Sequence, residues 1–430
     1  MNEVANSNDR KAGSGPVAGA VALSSASRDA DAKSRIGETM RRECFQSLGP
    51  RLKAVVLTGS LARNEATWRL TGHGMQFLSD AEFIVIVKDG AKIPSSEAVT
   101  LICGAAEEEL RNQGVLCKLS LGAVHEAFLL SLGETIFGYE LLTCGEVVYG
   151  DPDILSNKAR YVTRINEEDA WRMLANRTVE LLEIVPELVD GAALLSDAAQ
   201  YRLTKLYCDM ATSMLVFKQE FVAGYQARAD KLSKLHERGL LSDLPFDVDW
   251  FVSLVRRCSS YKTAHFWDGS SPFTTSESAR QAVAVLRSLW TWELGQIHEV
   301  TLFSPDAMLR LHMRKQKLKD RLRGWAFVVR RRGVVDSLRH CWRWLRLLTF
   351  ASPRYCVYAA GLNAVSRFEF AVSDQAEQQS ALASSGMGQP TTVLRWLPIA
   401  NPLARTALDQ KSLAEAILWN YHEFLVETRS

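Results

Sequence analysis

Cysteine clusters are missing from this chain. Its eight cysteines, at 44, 103, 117, 144, 208, 258, 341 and 356, include no CxxC pair and no Cys/His grouping. That argues against a disulfide scaffold, which is normally smaller and denser in cysteine, and predicts buried or free thiols in a reducing compartment. The eight histidines are scattered, with no HxH or HExxH, so a zinc enzyme is disfavoured. GxSxG elbows, Walker-type loops and GxGxxG fingerprints are absent, as is any repeat of fixed period. No run approaches the roughly 18 apolar residues of a spanning helix. Excess charge is lacking as well: 51 Lys and Arg against 49 Asp and Glu leave a net +2, so only local imbalances of charge carry information.

What is present is a globular composition, 47% hydrophobic and 23% charged, over 430 residues. That length exceeds one ordinary core and predicts two or three domains. Residues 1–35 are rich in Ala, Ser, Gly, Asn and Asp; their short apolar stretch from Pro16 to Leu23 makes a poor signal peptide, and the segment is expected to be a disordered tail. From there the pattern predicts a helix over Ile36–Leu48, then a buried strand Leu52–Thr58 (LKAVVLT) stopped by Gly59, with Ser60 opening a helix. Ala81–Val87 (AEFIVIV) is the clearest strand, followed by a helix over Ser95–Gln113 and a third strand over Val115–Val124. The expected fold class is α+β, with a small mixed-sheet domain over 36–155 and a mainly helical domain over 156–300. Within the second, helices are expected over Glu168–Val185, Ala198–Gly224 and Thr275–Glu299, with breaks at Pro186, Gly239 and Gly269-Ser270-Ser271-Pro272. A basic amphipathic segment over 301–350 and a mostly helical region over 351–430, ending in a helix Ser412–Thr428, complete the division.

Two short stretches carry chemistry. Gly59-Ser60 ends a strand, where a residue without Cβ lets a phosphate approach the backbone and the following amides and hydroxyl donate to it; an ordinary turn is the competing reading. Ser79-Asp80-Ala81-Glu82-Phe83 starts the best strand, and its period of two puts Asp80 and Glu82 on one face. Carboxylates at that spacing can share a hard divalent cation such as Mg²⁺, although a solvated strand entrance also tolerates them.

In that order, LTGSLARNEAT followed by LSDAEFIVIV resembles the DNA polymerase beta-like nucleotidyltransferase superfamily, in particular its small bacterial members, over roughly residues 37–155. The resemblance implies Mg²⁺-dependent transfer of a nucleoside monophosphate from a nucleoside triphosphate to an acceptor, here unknown, with release of pyrophosphate. It implies that Gly59 and Ser60 hold the triphosphate and that Asp80 and Glu82 ligate the metal. Two departures stand out. The gap from Ser60 to Asp80 is long, as an inserted loop over Arg69–Gln76 would make it. The family's third carboxylate falls where this chain has Lys118, which is neither a metal ligand nor a base at its ordinary pKa. Either Glu126 or Glu140 substitutes, or the chemistry is weakened, or the domain binds nucleotide without turning it over as a scaffolding protein.

A following helical domain is also family-like. Tyr201, Lys205 and Asp209 share a helix face, so Lys205 is a candidate contact for the triphosphate, against a plain surface pair of Lys205 with Asp209. Tyr225 and Arg228 are candidates for an acceptor or base pocket, against ordinary capping and packing. Between Arg310 and Arg346 stand thirteen Lys or Arg and two acids, interleaved with Trp325, Phe327, Trp342 and Trp344. This segment, 310–346, suits peripheral contact with an anionic membrane; a packed helix with a solvated basic side is the alternative, and nucleic acid is disfavoured because no recognition module accompanies the cations. The expected location is cytoplasmic, with peripheral contact at the inner face of the membrane.

Overall fold

The computed structural model describes residues 17–156, 164–190, 194–264, 271–300, 304–370, 393–394, 396–399 and 409–423. Its first helix, α1 (Val17–Leu48), begins well inside the stretch expected to be a tail. Ala32, Ile36, Met40, Cys44 and Leu48 recur every fourth residue and are all buried, so the apolar stripe of the expected helix runs back one further turn, to Ala32. Residues 1–16 lie outside the described residues. Strand β1 (Leu52–Thr58) follows, then a single helical turn α2 (Gly59–Ala62), shorter than the helix expected to open at Ser60.

The predicted inserted loop is a hairpin, β2 (Trp68–Thr71) paired antiparallel with β3 (Gly74–Phe77). Strand β4 (Ala81–Val87) and helix α3 (Ser96–Asn112) come next, Ser95 capping α3 by accepting from the Ala98 amide. The third predicted strand is divided. β5 (Val115–Leu116) joins the hairpin, and β6 (Leu119–His125) joins the main sheet, so one sequence run serves two sheets. Helices α4 (Ala127–Leu130) and α5 (Ile136–Cys144) lead to β7 (Glu146–Tyr149).

The main sheet has the order β6-β4-β1-β7, with β4 antiparallel to β1 and parallel to β6. Its central strands are apolar on both faces because both are covered. Val55, Leu57, Phe83 and Val85 meet α1 and α3 on one side, while Ala54, Val56, Ile84 and Ile86 meet Leu129, Leu141 and Ile154 on the other.

The helical part comprises α6 (Glu167–Glu180), α7 (Val185–Val189), α8 (Asp197–Phe217), α9 (Tyr225–Glu237), α10 (Val248–Thr263) and α11 (Ser276–His298). Pro186 sits in the first turn of α7, where a missing amide hydrogen is harmless, so it starts a helix rather than breaking one. The single helix expected through Gly224 stops at Phe217, and Gln219 follows with a positive φ of 57°. Residues 265–270, which contain part of the expected Gly-Ser-Ser-Pro break, lie outside the described residues.

Helices α12 (Pro305–Lys315), α13 (Leu318–Leu348), α14 (Pro353–Phe370) and α15 (Gln410–Tyr421) add to this same core, where Trp171 and Leu174 of α6 share one cluster with Tyr358 and Ile417. The described residues from 351 onward therefore share a core with the helices before them. Of its expected terminal helix, residues 424–428 lie outside the described residues. The α+β class holds, a small mixed sheet followed by helices.

One acid sits in this core without a cation. Glu293 of α11 is fully buried, its Oε1 accepting from Ser213 Oγ at 2.5 Å, and burial pushes its carboxyl up to about 8. The unfolded chain ionises it near 4.5, so the folded state holds an extra proton between those values and loses stability as pH rises through them. Glu293→Gln cannot ionise and is expected to remove that slope, gaining about 3 kcal/mol relative to the native chain between pH 4.5 and 7. Urea unfolding at several pH values reads this; parallel profiles for the two proteins would contradict it.

Candidate functional site

The geometry at the carboxyl end of β1 follows from strand register. Thr58 pairs with Glu82 across β1 and β4, which brings the turn after β1 against the entrance of β4. Gly59 takes a left-handed φ of 71°, and a Cβ there would stand 3.2 Å from Glu82 Cδ and 3.4 Å from Glu82 Oε2. A side chain at this position would therefore be both strained and pressed on the carboxylate. Ser60 Oγ lies 3.2 Å from Ser79 Oγ, a hydrogen bond that ties the first motif to the residue before Asp80. Asp80 and Glu82 are both exposed, while Ala81 and Phe83 are buried, as the period of two predicts.

On the next strand Ser120 pairs with Glu82, and the Lys118 carbonyl accepts from the Ala81 amide at 2.9 Å. The neighbours of the two carboxylates are thus Ser120 on β6 and the exposed Lys118 just before that strand. Neither substitute acid reaches the gap. Glu126 lies past the far end of β6, its amide bonded to the Val87 carbonyl and its carboxylate 3.6 Å from Lys53. Glu140 is held by two arginines: its Oε2 accepts from Arg63 Nη1 at 2.7 Å and its Oε1 from Arg228 Nη2. Among the described residues no cluster of three or more His, Cys, Asp or Glu forms a cation set.

Lys205 stands one turn after Tyr201 on α8, half-buried, and its charge reaches Tyr201 and Glu180. The surface pair with Asp209 does not form, because Asp209 is buried and bonded to Arg177 Nε at 2.6 Å. Burial alone would raise the Tyr201 phenol; Lys262, Lys205 and the neighbouring Ser79 outweigh it and hold the group below its ordinary range. Tyr201 therefore stands against Ser79 at this corner, while Lys205 lies one turn along α8, between Tyr201 and Glu180.

Tyr225 and Arg228 form a clamp rather than a pocket. Arg228, 3% exposed, donates to the Val222 carbonyl, to Thr212 Oγ1 at 3.0 Å and to Glu140. The Tyr225 amide donates to Glu65 Oε1 at 2.6 Å, and Glu65 Oε2 accepts from Arg63 Nε at 2.8 Å. Burial opposes the Arg63 charge, yet Glu140, Tyr225 and Glu65 together hold its guanidinium above its usual pKa.

Lys262 was invisible to sequence reading. It is 1% exposed, its Nζ donating to Thr67 Oγ1 at 2.9 Å and lying 5.1 Å from the Tyr201 ring centre. The available signal was Val255, Cys258, Ser259 and Lys262 at helical spacing on the buried stripe of α10, a cation where an apolar residue is the rule.

No family model matches the chain, and no curated protein matches it. Among solved structures it is similar to a nucleotidyltransferase-like protein from Exiguobacterium sibiricum 255-15, at 13% identity over 65% of this chain and 80% of that one, with a TM-score of 0.24.

Proposed function

We propose that the chain binds a nucleoside triphosphate with Mg²⁺ at this corner and transfers its nucleoside monophosphate to an acceptor. One observation carries the reading: motifs from separate stretches of sequence meet, Gly59 lying on the Glu82 carboxylate and Ser60 bonded to Ser79 beside Asp80. The donor set fits the ion. Mg²⁺ prefers oxygen ligands, and one or two carboxylates with substrate phosphates and waters are its usual shell, which two exposed acids on one strand face can begin. When bound, the ion would neutralise charge developing on the phosphate oxygens.

The chain's own residues supply the rest. Gly59, lacking a Cβ, lets the turn close on the Glu82 carboxylate, and the Ser60 hydroxyl beside it donates to a phosphate. Lys205 adds positive charge from the helical side, and Tyr201 with Lys262 fixes that side against the corner. The acceptor proton has no carboxylate waiting beside Asp80 and Glu82, where Lys118, just before β6, and Ser120 of β6 stand. Transfer is therefore expected to be slow, and Lys118→Asp to accelerate it by at least tenfold, toward the hundredfold and more that a placed general base supplies.

That same observation favours a second reading, nucleotide binding without turnover. Transfer of label from a triphosphate marked at its α-phosphorus separates the two. Label moved by the native chain and faster by the variant supports transfer; label moved by the variant alone supports the second reading. No transfer by either protein would sink the first.

A further inference from the structure

Helix α13 is two arms rather than one rod. Gly333, with φ 78° and ψ 169°, breaks it, and the Trp325 and Trp344 rings lie 5.8 Å apart across the arms. Arg321 Nη1 of the first arm donates to the Thr349 carbonyl at the end of the second, at 2.9 Å. The inner side belongs to the helical core, with Trp325, Val328, Trp344 and Leu347 buried. Trp325 Nε1 donates to the Ala351 carbonyl and Trp344 Nε1 to the Pro398 carbonyl.

The outer side has an unusual composition for a surface. On the first arm Leu318, Leu322, Ala326 and Val329 are exposed at helical spacing, and on the second Leu338, Trp342 and Leu345. Trp342 is 83% exposed and Leu338 67%. Lys319, Arg323, Arg330, Arg339 and Arg346 flank these stripes, and none of them pairs with an acid among the described residues. Arg346 also lines a cavity of about 200 Å³ with Arg310, Arg314, Phe350 and Trp396; Arg310 is itself paired with Asp306.

We propose that the α13 hairpin is a peripheral docking surface for an anionic lipid bilayer, with one lipid phosphate seated in the arginine-lined cavity. Two apolar stripes outside a packed hairpin gain nothing from water, whereas the headgroup region buries leucine and tryptophan and brings cations to lipid phosphate. Charge selects the lipid: thirteen cations oppose two acids between residues 310 and 346. A nucleic-acid backbone would satisfy the arginines but leave Leu318, Leu322, Leu338 and Leu345 in water. Insertion across the bilayer is not required, and no described helix is long and apolar enough for it.

The test is sedimentation of the full chain with vesicles of phosphatidylcholine, alone or mixed with phosphatidylserine, with helicity checked by circular dichroism. The native chain is expected to sediment with the mixed vesicles only, and less so as salt is raised. Leu338→Ser with Trp342→Ser is expected to weaken binding by at least roughly tenfold, and Arg314→Gln and Arg346→Gln by roughly fivefold each. Equal sedimentation with both vesicles, none with either, or an unchanged Leu338/Trp342 variant would overturn the proposal. So would tight binding of single-stranded RNA by a chain that ignores the mixed vesicles, an outcome read on the native protein alone.

Discussion

Replacing Glu140 with alanine is expected to lower the stability of the folded chain by about 3 kcal/mol, the low end for breaking a buried ion pair. Glu140 of α5 bridges two arginines from different parts of the molecule, Arg63 after α2 and Arg228 of α9, whose side chains are only 7% and 4% exposed. Taking the carboxylate away leaves both charges out of water. Arg63 keeps Glu65, and Arg228 keeps Thr212 and the Val222 carbonyl, which holds the loss below the sum of two broken pairs. Because the bridge joins the sheet domain to the helical core, urea unfolding of Glu140→Ala is expected to separate into two phases. Glu140→Gln, which keeps an acceptor of the same shape, should lose less. A midpoint shift equivalent to less than about 0.5 kcal/mol, the range of an ordinary surface change, would mean the bridge is not holding the domains.

Asp80→Ala with Glu82→Ala is expected to reduce Mg²⁺-dependent nucleotidyl transfer by at least a hundredfold, on the order of several kcal/mol of lost charge stabilisation. Both side chains are exposed at the strand entrance, and the pairing of β4 is made by backbone. Stability is therefore expected to stay within about 0.5 kcal/mol of the native value. That separation, activity lost and fold kept, distinguishes metal ligands from carboxylates that merely solvate a strand end. Equal transfer by the variant would remove both residues from the site.

Local pattern made β1 and β4 legible, because a strand buried on both faces reads as an unbroken apolar run and Gly59 and Asp89-Gly90 mark where each stops. The pairing of the two motifs was legible for the same reason: strand ends and side-chain alternation are local properties. The hairpin between them was not, since Trp68 to Phe77 alternates weakly and its partner β5 lies some forty residues on, split from β6 by a change of sheet. Nor was the clamp. Glu65 meets the Tyr225 amide, and Lys262 meets Thr67, across sequence separations of 160 and 195 residues. No short window records such contacts. Helical spacing put Tyr201 and Lys205 on neighbouring turns of one helix, but the alternative pair of Lys205 with Asp209 does not form, because Asp209 turns inward to Arg177.

The most direct measurement is calorimetric titration of the native chain with ATP, GTP, CTP and UTP, each with and without Mg²⁺, beside the Asp80→Ala, Glu82→Ala variant. Binding of at least one triphosphate that needs Mg²⁺ and disappears in the variant is the predicted result. Failure to bind any of the four, or binding that the variant retains unchanged, would contradict a nucleotide site at Gly59, Ser60, Asp80 and Glu82.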